Sequence, residues 1–232
     1  MSLDNGSSPD RRAAIADAAI AVIAADGVRA LTHRALDRRL GLPPGSVSYY
    51  HRTRKALLEA VVRELAARNR ADFVASGQGF SAPAPAPAPA PAPGPGADSV
   101  TSGPGARRDD LAVAVRGMAV LVDRMIGVRR ADSVARYALT LELAADPDLR
   151  DLLATPFFAH GAAADLLAGC GVADPAGAAD DLISLVDGLV FDRCVGRRAR
   201  TAPAAGTAAS IDELARALHT FVLGCLRWPH DR

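Results

Sequence analysis

Residues 31–51, LTHRALDRRLGLPPGSVSYYH, decide the fold, because they predict two short helices joined by a tight turn. Thr32 suits the N-cap of the first helix, since its hydroxyl can accept a hydrogen bond from an otherwise orphan backbone N–H. Gly41 is expected to end this helix. Pro44 suits the first position of the second helix, where a missing N–H costs nothing. The pattern is a helix-turn-helix, which places the start of its second helix in the major groove of DNA.

This region resembles the DNA-binding domain of the tetracycline-repressor (TetR) family. The family pattern has Thr or Ser opening the first helix, Gly at the turn, then Gly, Ser or Thr, an aliphatic residue, an aromatic cluster, a basic residue and a Leu pair. The matching positions are Thr32, Gly41, Gly45, Ser46, Val47, Tyr49, Tyr50, Arg54, Leu57 and Leu58. The resemblance covers residues 10 to 65 and implies a DNA-binding transcriptional regulator, most often a repressor.

Five positions depart from the family pattern. Asp37 stands where Ala is usual, Pro43 where a capping Ser is frequent, Ser48 where an aromatic residue is usual, His51 where Phe is frequent, and Arg54 where Lys is usual. Arginine keeps the positive charge of lysine but not its compact geometry. The resemblance therefore implies the fold and leaves the base preference open.

Positive charge is concentrated in the N-terminal third of the chain. Residues 1–72 carry 12 Lys+Arg and 8 Asp+Glu, whereas the remaining residues carry 15 and 18. Between Arg29 and Lys55 there are seven basic residues and a single acidic one, Asp37. A local excess of this kind on a small helical unit indicates a surface for phosphates. The alternative, a solvated basic face without a partner, is disfavoured by the helix-turn-helix pattern.

The motif and the resemblance together predict which residues contact DNA. Phosphate contacts are expected from backbone N–H groups and from Thr32, His33, Arg34, Arg54 and Lys55. Contacts with sugar, phosphate or base edges are expected around the start of the second helix, from Pro44, Gly45, Ser46, Ser48, Tyr49 and Tyr50. Tyr50 has the equal alternative of orienting this helix by packing.

The 232 residues, half of them hydrophobic, can bury a sizeable core. The predicted organisation is a disordered arm (1–9), a DNA-binding domain (10–56), a connecting helix (57–76), a Pro/Ala-rich linker (77–106) and a regulatory and dimerisation domain (107–232). Alternating Ala and Pro fixes φ at every second residue and removes N–H donors, so an extended spacer is expected. Any signal between the body and the DNA-binding domain must then pass through packed side chains.

The expected fold class is all-α, with an N-terminal three-helix DNA-binding domain followed by a C-terminal helical ligand-binding and dimerisation domain. Helices of the body are expected to begin with Asp146 and Pro147, with Asp174 and Pro175, and at Ser210, whose spacing to Glu213 is that of a capping box.

The last two helices carry apolar stripes, Leu182, Leu185, Val186 and Leu189 on one and Leu214, Leu218, Phe221 and Val222 on the other. In the family the corresponding helices pair with their copies in a second subunit. The resemblance therefore implies a homodimer in which two DNA-binding domains meet a palindromic operator. The alternative is that these helices close the core of one chain.

Polar residues within the apolar body are candidates for contacting a small-molecule effector, because binding cavities carry a few convergent polar groups. The candidates are Arg136, Tyr137, Thr140, Glu142, His160 and Asp187, and Asp192 is a further one. Each of them is also compatible with a purely structural role.

Motifs for catalysis, for phosphate-cradling loops and for metal binding are not found, and no cofactor is predicted. The cysteines Cys170, Cys194 and Cys225 lack metal-ligand spacing. No apolar run could span a bilayer, so a cytoplasmic protein without a membrane partner is expected. Two other classes stay open: a ligand-independent DNA-binding regulator, and a helical enzyme built on Glu142, His160 and Asp187.

Overall fold

The computed structural model describes residues 8–75, 104–153 and 160–227, which form ten α-helices and no strand. The helices are α1 (Ser8–Asp26), α2 (His33–Arg39), α3 (Ser46–Tyr50), α4 (Arg54–Ala75), α5 (Pro104–Ile126), α6 (Arg130–Glu142), α7 (Pro147–Leu153), α8 (His160–Gly169), α9 (Pro175–Cys194) and α10 (Ala208–Arg227). A 3-10 turn, Val28–Ala30, lies between α1 and α2. The all-α prediction is confirmed. None of these described helices is both long and apolar enough to cross a membrane.

Side-chain caps mark several helix starts, and those of α7 and α9 confirm predicted starts. Thr53 Oγ1 accepts the N–H of Ala56 at 3.0 Å at the start of α4. Asp146 and Asp174 cap α7 and α9 by accepting the N–H groups of residues 149 and 177, at 3.3 and 3.1 Å. These short polar side chains satisfy backbone donors that the first helical turn leaves free.

The chain divides into two compact units that cut across the predicted domain boundaries. The first comprises Met1–Phe73, Met125–Pro156 and Val190–Thr201, and the second Val74–Arg124, Phe157–Leu189 and Ala202–Arg232. The first unit therefore contains the helix-turn-helix together with α6 and α7. The division by function stays a prediction.

Two predicted irregular segments are partly helical. α1 begins at Ser8, inside the predicted arm, and α5 begins at Pro104, inside the predicted Pro/Ala-rich linker. Proline is tolerated at the start of a helix, because its missing N–H has no intrahelical partner there. Residues 1–7 and 76–103, which hold the rest of these two segments, lie outside the described residues.

A single apolar core joins the helix-turn-helix to α6 and α7 within the first unit. Buried members from α1 to α4 include Ile15, Ala19, Ile23, Leu36, Val47, Leu57 and Val61, and those from α6 and α7 are Ala135, Leu139, Leu149 and Leu153, with Leu143 directly after α6. α1 packs directly against α6. Packed side chains therefore connect α1 to α6, which is the kind of route that a signal between the two would need.

An ion-pair network reinforces this packing. Arg68 of α4 is one-fifth exposed, donates to Asp132 of α6 at 3.0 Å and also pairs with Asp17 of α1. Arg129, directly before α6, makes two parallel hydrogen bonds of 2.7 and 2.9 Å with Asp72 of α4. Bidentate, half-buried arginine pairs hold geometry better than exposed ones. The network therefore connects α1, α4 and α6 by ion pairs.

In the second unit, the predicted start of α10 is wrong. Thr207 is the capping residue, since its Oγ1 accepts the N–H of Ser210 at 3.2 Å. Ser210 is buried in the first turn, where its hydroxyl donates to Asp123 Oδ1 at 2.5 Å. The other oxygen of this buried carboxylate accepts the N–H of Gly206 at 2.7 Å. Because α10 begins at Ala208, Ser210 lies inside the first helical turn rather than at the N-cap, and the capping-box interpretation fails.

Candidate nucleic-acid interface

The first helix of the motif, α2, begins as expected. Thr32 has extended backbone angles, and its Oγ1 accepts the N–H of Ala35 at 3.1 Å. Gly41 has φ +63°, a left-handed conformation that ends the helix and suits glycine. Arg34, Arg38 and Arg39 are exposed along α2 and its end. This helix therefore presents cations to solvent while Leu36 lies in the core.

The prediction that the second helix begins at Pro44 is wrong. The helix α3 begins at Ser46, and Gly45 before it has φ +93° and ψ −7°. The N–H of Ser46 donates to the carbonyl of Pro43 at 3.1 Å. These features make residues 43–46 a type II turn, in which proline suits the second position and glycine the third. Pro44 thus fixes the turn, and the left-handed Gly45 delays the helix.

The buried carboxylate of Asp37 holds the start of α3. Its Oδ2 accepts the N–H of Gly45 at 2.8 Å, and its Oδ1 accepts the N–H of Val47 at 2.9 Å. Asp37 is 3% exposed. The expectation that backbone N–H groups here bind phosphate is therefore wrong for these two groups. No sequence pattern marks this role, because in the sequence Asp37 is only a departure from the family pattern.

The two tyrosines of α3 have different surroundings. Tyr49 is 82% exposed, more than any other large hydrophobic residue on the part of the chain described. Tyr50 is half-buried and packs against the core, with its ring edge-to-face with that of Tyr49 at 5.3 Å between centroids. Arg12 of α1 lies over the Tyr50 ring at 5.8 Å. The packing alternative therefore describes Tyr50, and Tyr49 projects into solvent.

Two residues predicted to contact phosphate are engaged within the chain. Arg54 donates from Nη1 to the carbonyl of Leu31 at 2.5 Å and from Nη2 to that of Val28 at 2.9 Å. His33 Nε2 donates to the carbonyl of His51 at 2.6 Å, so the ring has only Nδ1 left, which donates only when the imidazole is charged. Both side chains therefore brace the helix-turn-helix, and Arg54 joins the start of α4 to the turn after α1.

Lys55, a third predicted phosphate contact, is paired with acidic residues. Its Nζ lies 3.2 Å from Asp146 Oδ2 and 3.8 Å from Asp148 Oδ2. The hydrogen bond and charge of Asp146 raise the pKa of Lys55, and Lys55 in turn lowers the pKa of Asp146. The same Asp146 caps α7 through its other oxygen. Lys55 thus connects the start of α4 to the start of α7.

His51, directly after α3, is 8% exposed, and its Nε2 has no hydrogen-bond partner among the described residues. Burial, and then the positive charges of Arg12 and His33, lower its pKa. Protonation therefore favours the unfolded chain. The contribution of neutral His51 to stability is complete above the ordinary value of 6.5 and is lost as pH falls through the lower folded-state pKa.

We therefore expect the urea midpoint to fall between pH 7.5 and 5.5, and this fall to be smaller in His51→Phe, which cannot take up a proton. The matched control is His219→Gln, which removes an exposed histidine of α10 and reports the effect of losing an imidazole elsewhere in the chain. An unchanged fall in His51→Phe would assign the pH dependence to other groups.

Comparison with known proteins agrees with this architecture. Residues 15–61 match the family of bacterial regulatory proteins named tetR, and residues 107–222 match the tetracyclin repressor-like C-terminal domain. The chain belongs to the TetR family of transcriptional regulators. The predicted family is therefore confirmed on both halves of the chain, the second of which carried little resemblance in the sequence alone.

Individual relatives of this TetR-family chain are distant. The HTH-type transcriptional regulator BetI of Rhizobium meliloti (strain 1021) is 35% identical over 78 residues, which span 34% of this chain and only 38% of BetI. A Rhodococcus sp. RHA1 transcriptional regulator is 20% identical with a TM-score of 0.64, and covers 95% of this chain and 97% of its own. A Saccharomonospora viridis regulator solved with choline is 18% identical with a TM-score of 0.61, over 93% and 97%. The two structures share the fold.

The predicted effector contacts are not all embedded in an apolar body. Thr140, Glu142 and His160 are exposed. Thr140 Oγ1 donates to the carbonyl of Arg136 at 2.9 Å, and His160 Nε2 lies 3.3 Å from Asp180. α6 turns its apolar face inward at positions 135, 139 and 143, so its neighbouring positions 140 and 142 face outward.

The remaining candidates, Arg136, Tyr137, Asp187 and Asp192, are half-buried. Tyr137 packs edge-to-face with Phe191 at 5.2 Å between ring centroids, a contact that no sequence pattern marks. No group of three or more His, Cys, Asp or Glu side chains in the described ranges could hold a metal ion. Burial raises the pKa of all three cysteine thiols, which makes them weak nucleophiles.

Most of the predicted dimer contacts serve the core of a single chain. Leu182, Val186, Leu214, Leu218 and Val222 are each at most 3% exposed. A side chain that its own subunit already covers adds no area to an interface. The assignment of these five residues to the dimer interface is therefore wrong, while Leu185, Leu189 and Phe221 are half-buried and stay candidates.

Proposed function

We propose that this TetR-family chain is a homodimeric repressor that binds a palindromic operator and changes its affinity when a small molecule binds the C-terminal region. The observation that carries the proposal is the rigidly supported helix-turn-helix with Tyr49 projecting into solvent. Tyr49 lies next to Ser46 and Ser48 on α3, which we call the reading helix. Its largely exposed aromatic side chain suits contact with base edges and sugars.

The phosphate contacts in this proposal come from fewer groups than the sequence suggested. Thr32 and Arg34 are exposed at the start of α2, and Arg52 is exposed between α3 and α4. Arg54 has donors beyond the two that bind carbonyl groups, and Lys55 reaches phosphate only by leaving Asp146. These groups would set the register of α3 in the groove.

A second subunit would pack on the exposed faces of α9 and α10. The exposed positions Gly177, Asp181, Ser184 and Gly188 of α9 are spaced by four, three and four residues, which places them on one face. Small residues let two helices approach closely. An isologous dimer on this face would present two reading helices, as a two-fold operator requires.

The first small molecule to test as the effector is choline, with which the Saccharomonospora viridis regulator was solved. The Tyr137 and Phe191 ring pair would suit a cationic ligand of this type, since aromatic faces attract quaternary ammonium groups. If choline changes neither the melting temperature of the protein nor its operator affinity, choline is excluded as the effector. A regulator that no metabolite affects is the remaining alternative.

The proposal is tested by selecting bound fragments from random duplex DNA with the purified protein. A palindromic motif, bound by a dimer with nanomolar affinity, is the expected result. If no motif is enriched and the affinity falls steadily as the salt concentration rises, the basic surface binds DNA without sequence specificity.

The pairing of Lys55 yields a prediction about phosphate binding. Asp146→Asn should keep the cap of α7, because asparagine is an equally good N-cap, while it removes the charge that holds Lys55. We expect affinity for non-specific duplex to rise about two- to fivefold and the salt slope to steepen by up to about one, as for one added phosphate contact. Asp148→Asn, at a longer distance and 86% exposed, should have a smaller effect. Identical salt titrations for wild type and Asp146→Asn would refute this competition.

A further inference from the structure

The reading helix α3 has five residues and no cap of its own. Its N-cap residue is Gly45, which has no side chain to accept a hydrogen bond. Ser46 is the first residue of the helix rather than its N-cap, and its hydroxyl donates to the carbonyl of Pro43 at 2.7 Å. A helix this short is unstable alone, because nucleation fixes several residues for few hydrogen bonds. Its position must come from elsewhere in the fold.

Asp37 supplies both hydrogen bonds that a local cap would make. A capping side chain accepts from the second or third helical residue, and Val47 is the second residue of α3. The partner bond of a capping box goes to the backbone N–H of the N-cap residue, which is Gly45. The two oxygens of the Asp37 carboxylate thus take the place of the two side chains of a capping box. They do so from α2, the preceding helix, on the other side of the turn.

The side chain of Asp37, which we call the anchor of α3, has little conformational freedom. Asp37 lies one residue after Leu36, which is fully buried, and its own exposure is 3%. A carboxylate this buried is retained only when it is well hydrogen-bonded, and loss of its partners would leave a costly charge. The orientation of α3 is therefore coupled to that of α2 through two charge-assisted bonds of 2.8 and 2.9 Å.

We propose that Asp37 is a positioning residue for operator recognition, which holds the reading helix in register and withholds its first N–H groups from DNA phosphate. The inference rests on the proposed function, since it concerns how sequence-specific binding is achieved. Amides at a helix start attract any phosphate, whatever the sequence. With two of them bound to Asp37, contact at this point depends on Ser46, Ser48 and Tyr49, and the sequence-independent part of the affinity is reduced.

The test compares Asp37→Ala with wild type on the selected operator and on unrelated duplex, at a temperature where both proteins are folded. We expect the ratio of specific to non-specific affinity to fall about tenfold, the size of a lost cap. Affinity for unrelated duplex should stay unchanged or rise, because one negative charge is removed and two N–H groups are released. Asp37→Asn, which keeps the shape but sets an amide donor against an N–H, should change the ratio in the same direction and less.

A mere loss of folded protein would lower both affinities by the same factor, and that result would overturn the proposal. An unchanged ratio would overturn it as well. Asp26→Asn, at the exposed end of α1, is the control for the loss of one negative charge and should keep the ratio.

Amide hydrogen exchange of the DNA-free protein gives an independent measurement. The amides of Gly45 and Val47 should exchange about tenfold faster in Asp37→Ala, with Ile23 in the core of α1 unchanged. A uniform increase in the exchange rates of all amides would indicate global destabilisation and contradict the claim that Asp37 holds α3. If wild type selects no DNA motif, the proposed function fails, and the exchange rates alone decide whether Asp37 holds α3.

Discussion

Tyr49→Ala should weaken operator binding about 10- to 100-fold and leave binding to unrelated duplex unchanged, an effect of roughly 1–3 kcal/mol. Tyr49 is 82% exposed, so its truncation removes little packing, and the unfolding free energy should change by less than about 0.5 kcal/mol. The measurement is a pair of fluorescence anisotropy titrations, one for each DNA, at a single salt concentration.

Tyr49→Phe separates the two parts of this side chain. It keeps the ring, and with it the edge-to-face contact with Tyr50, and removes only the hydroxyl. Full operator affinity in Tyr49→Phe would assign the contact to the ring, and a loss equal to that of Tyr49→Ala would assign it to the hydroxyl. Equal weakening of both DNAs by Tyr49→Ala would contradict a role in sequence reading.

Gly188→Arg should convert the proposed dimer to a monomer and lower operator affinity by about 100-fold or more, because two linked half-site contacts bind far more tightly than one. Gly188 is exposed on α9, and a Cβ at this position meets nothing within 4 Å in its own chain. Arginine also favours a helix more than glycine does, so the fold should be at least as stable. Light scattering after size exclusion measures the mass, and the operator titration measures the consequence.

The matched control is Gly161→Arg in α8. This glycine is also exposed with open space around its Cβ, and it lies outside the proposed face. Gly161→Arg should remain dimeric with wild-type operator affinity. A dimeric Gly188→Arg variant would place the subunit interface away from the outward face of α9.

Local patterns predicted much of the fold, because helix caps and apolar periodicity are encoded within a few residues. The caps Thr32, Asp146 and Asp174 follow from this kind of reading. Ser210 had the right spacing for a cap, but its hydroxyl donates to Asp123, 87 residues away. A pattern within one helix contains no information about such a partner.

The candidate site divides in the same way. The sequence predicted Tyr49 as a DNA contact and its side chain is exposed, whereas Arg54 and His33 are held by carbonyl groups that no sequence pattern marks. Asp37 and Pro43 were two unrelated departures from the family pattern in the sequence. In the structure they are connected, since the position where a capping serine is frequent holds proline and the carboxylate of Asp37 makes the capping bonds instead.

The anchor also limits how the reading element can be transplanted. Grafting residues 43–51 onto a related scaffold with alanine in place of Asp37 would carry over the side chains proposed to contact DNA and leave two backbone donors unsatisfied. The smallest portable unit therefore extends from residue 37 to residue 51, including the turn with its left-handed Gly45. In a library that varies base preference, Asp37 and Gly45 belong among the constant positions, and diversity belongs at Ser46, Ser48 and Tyr49.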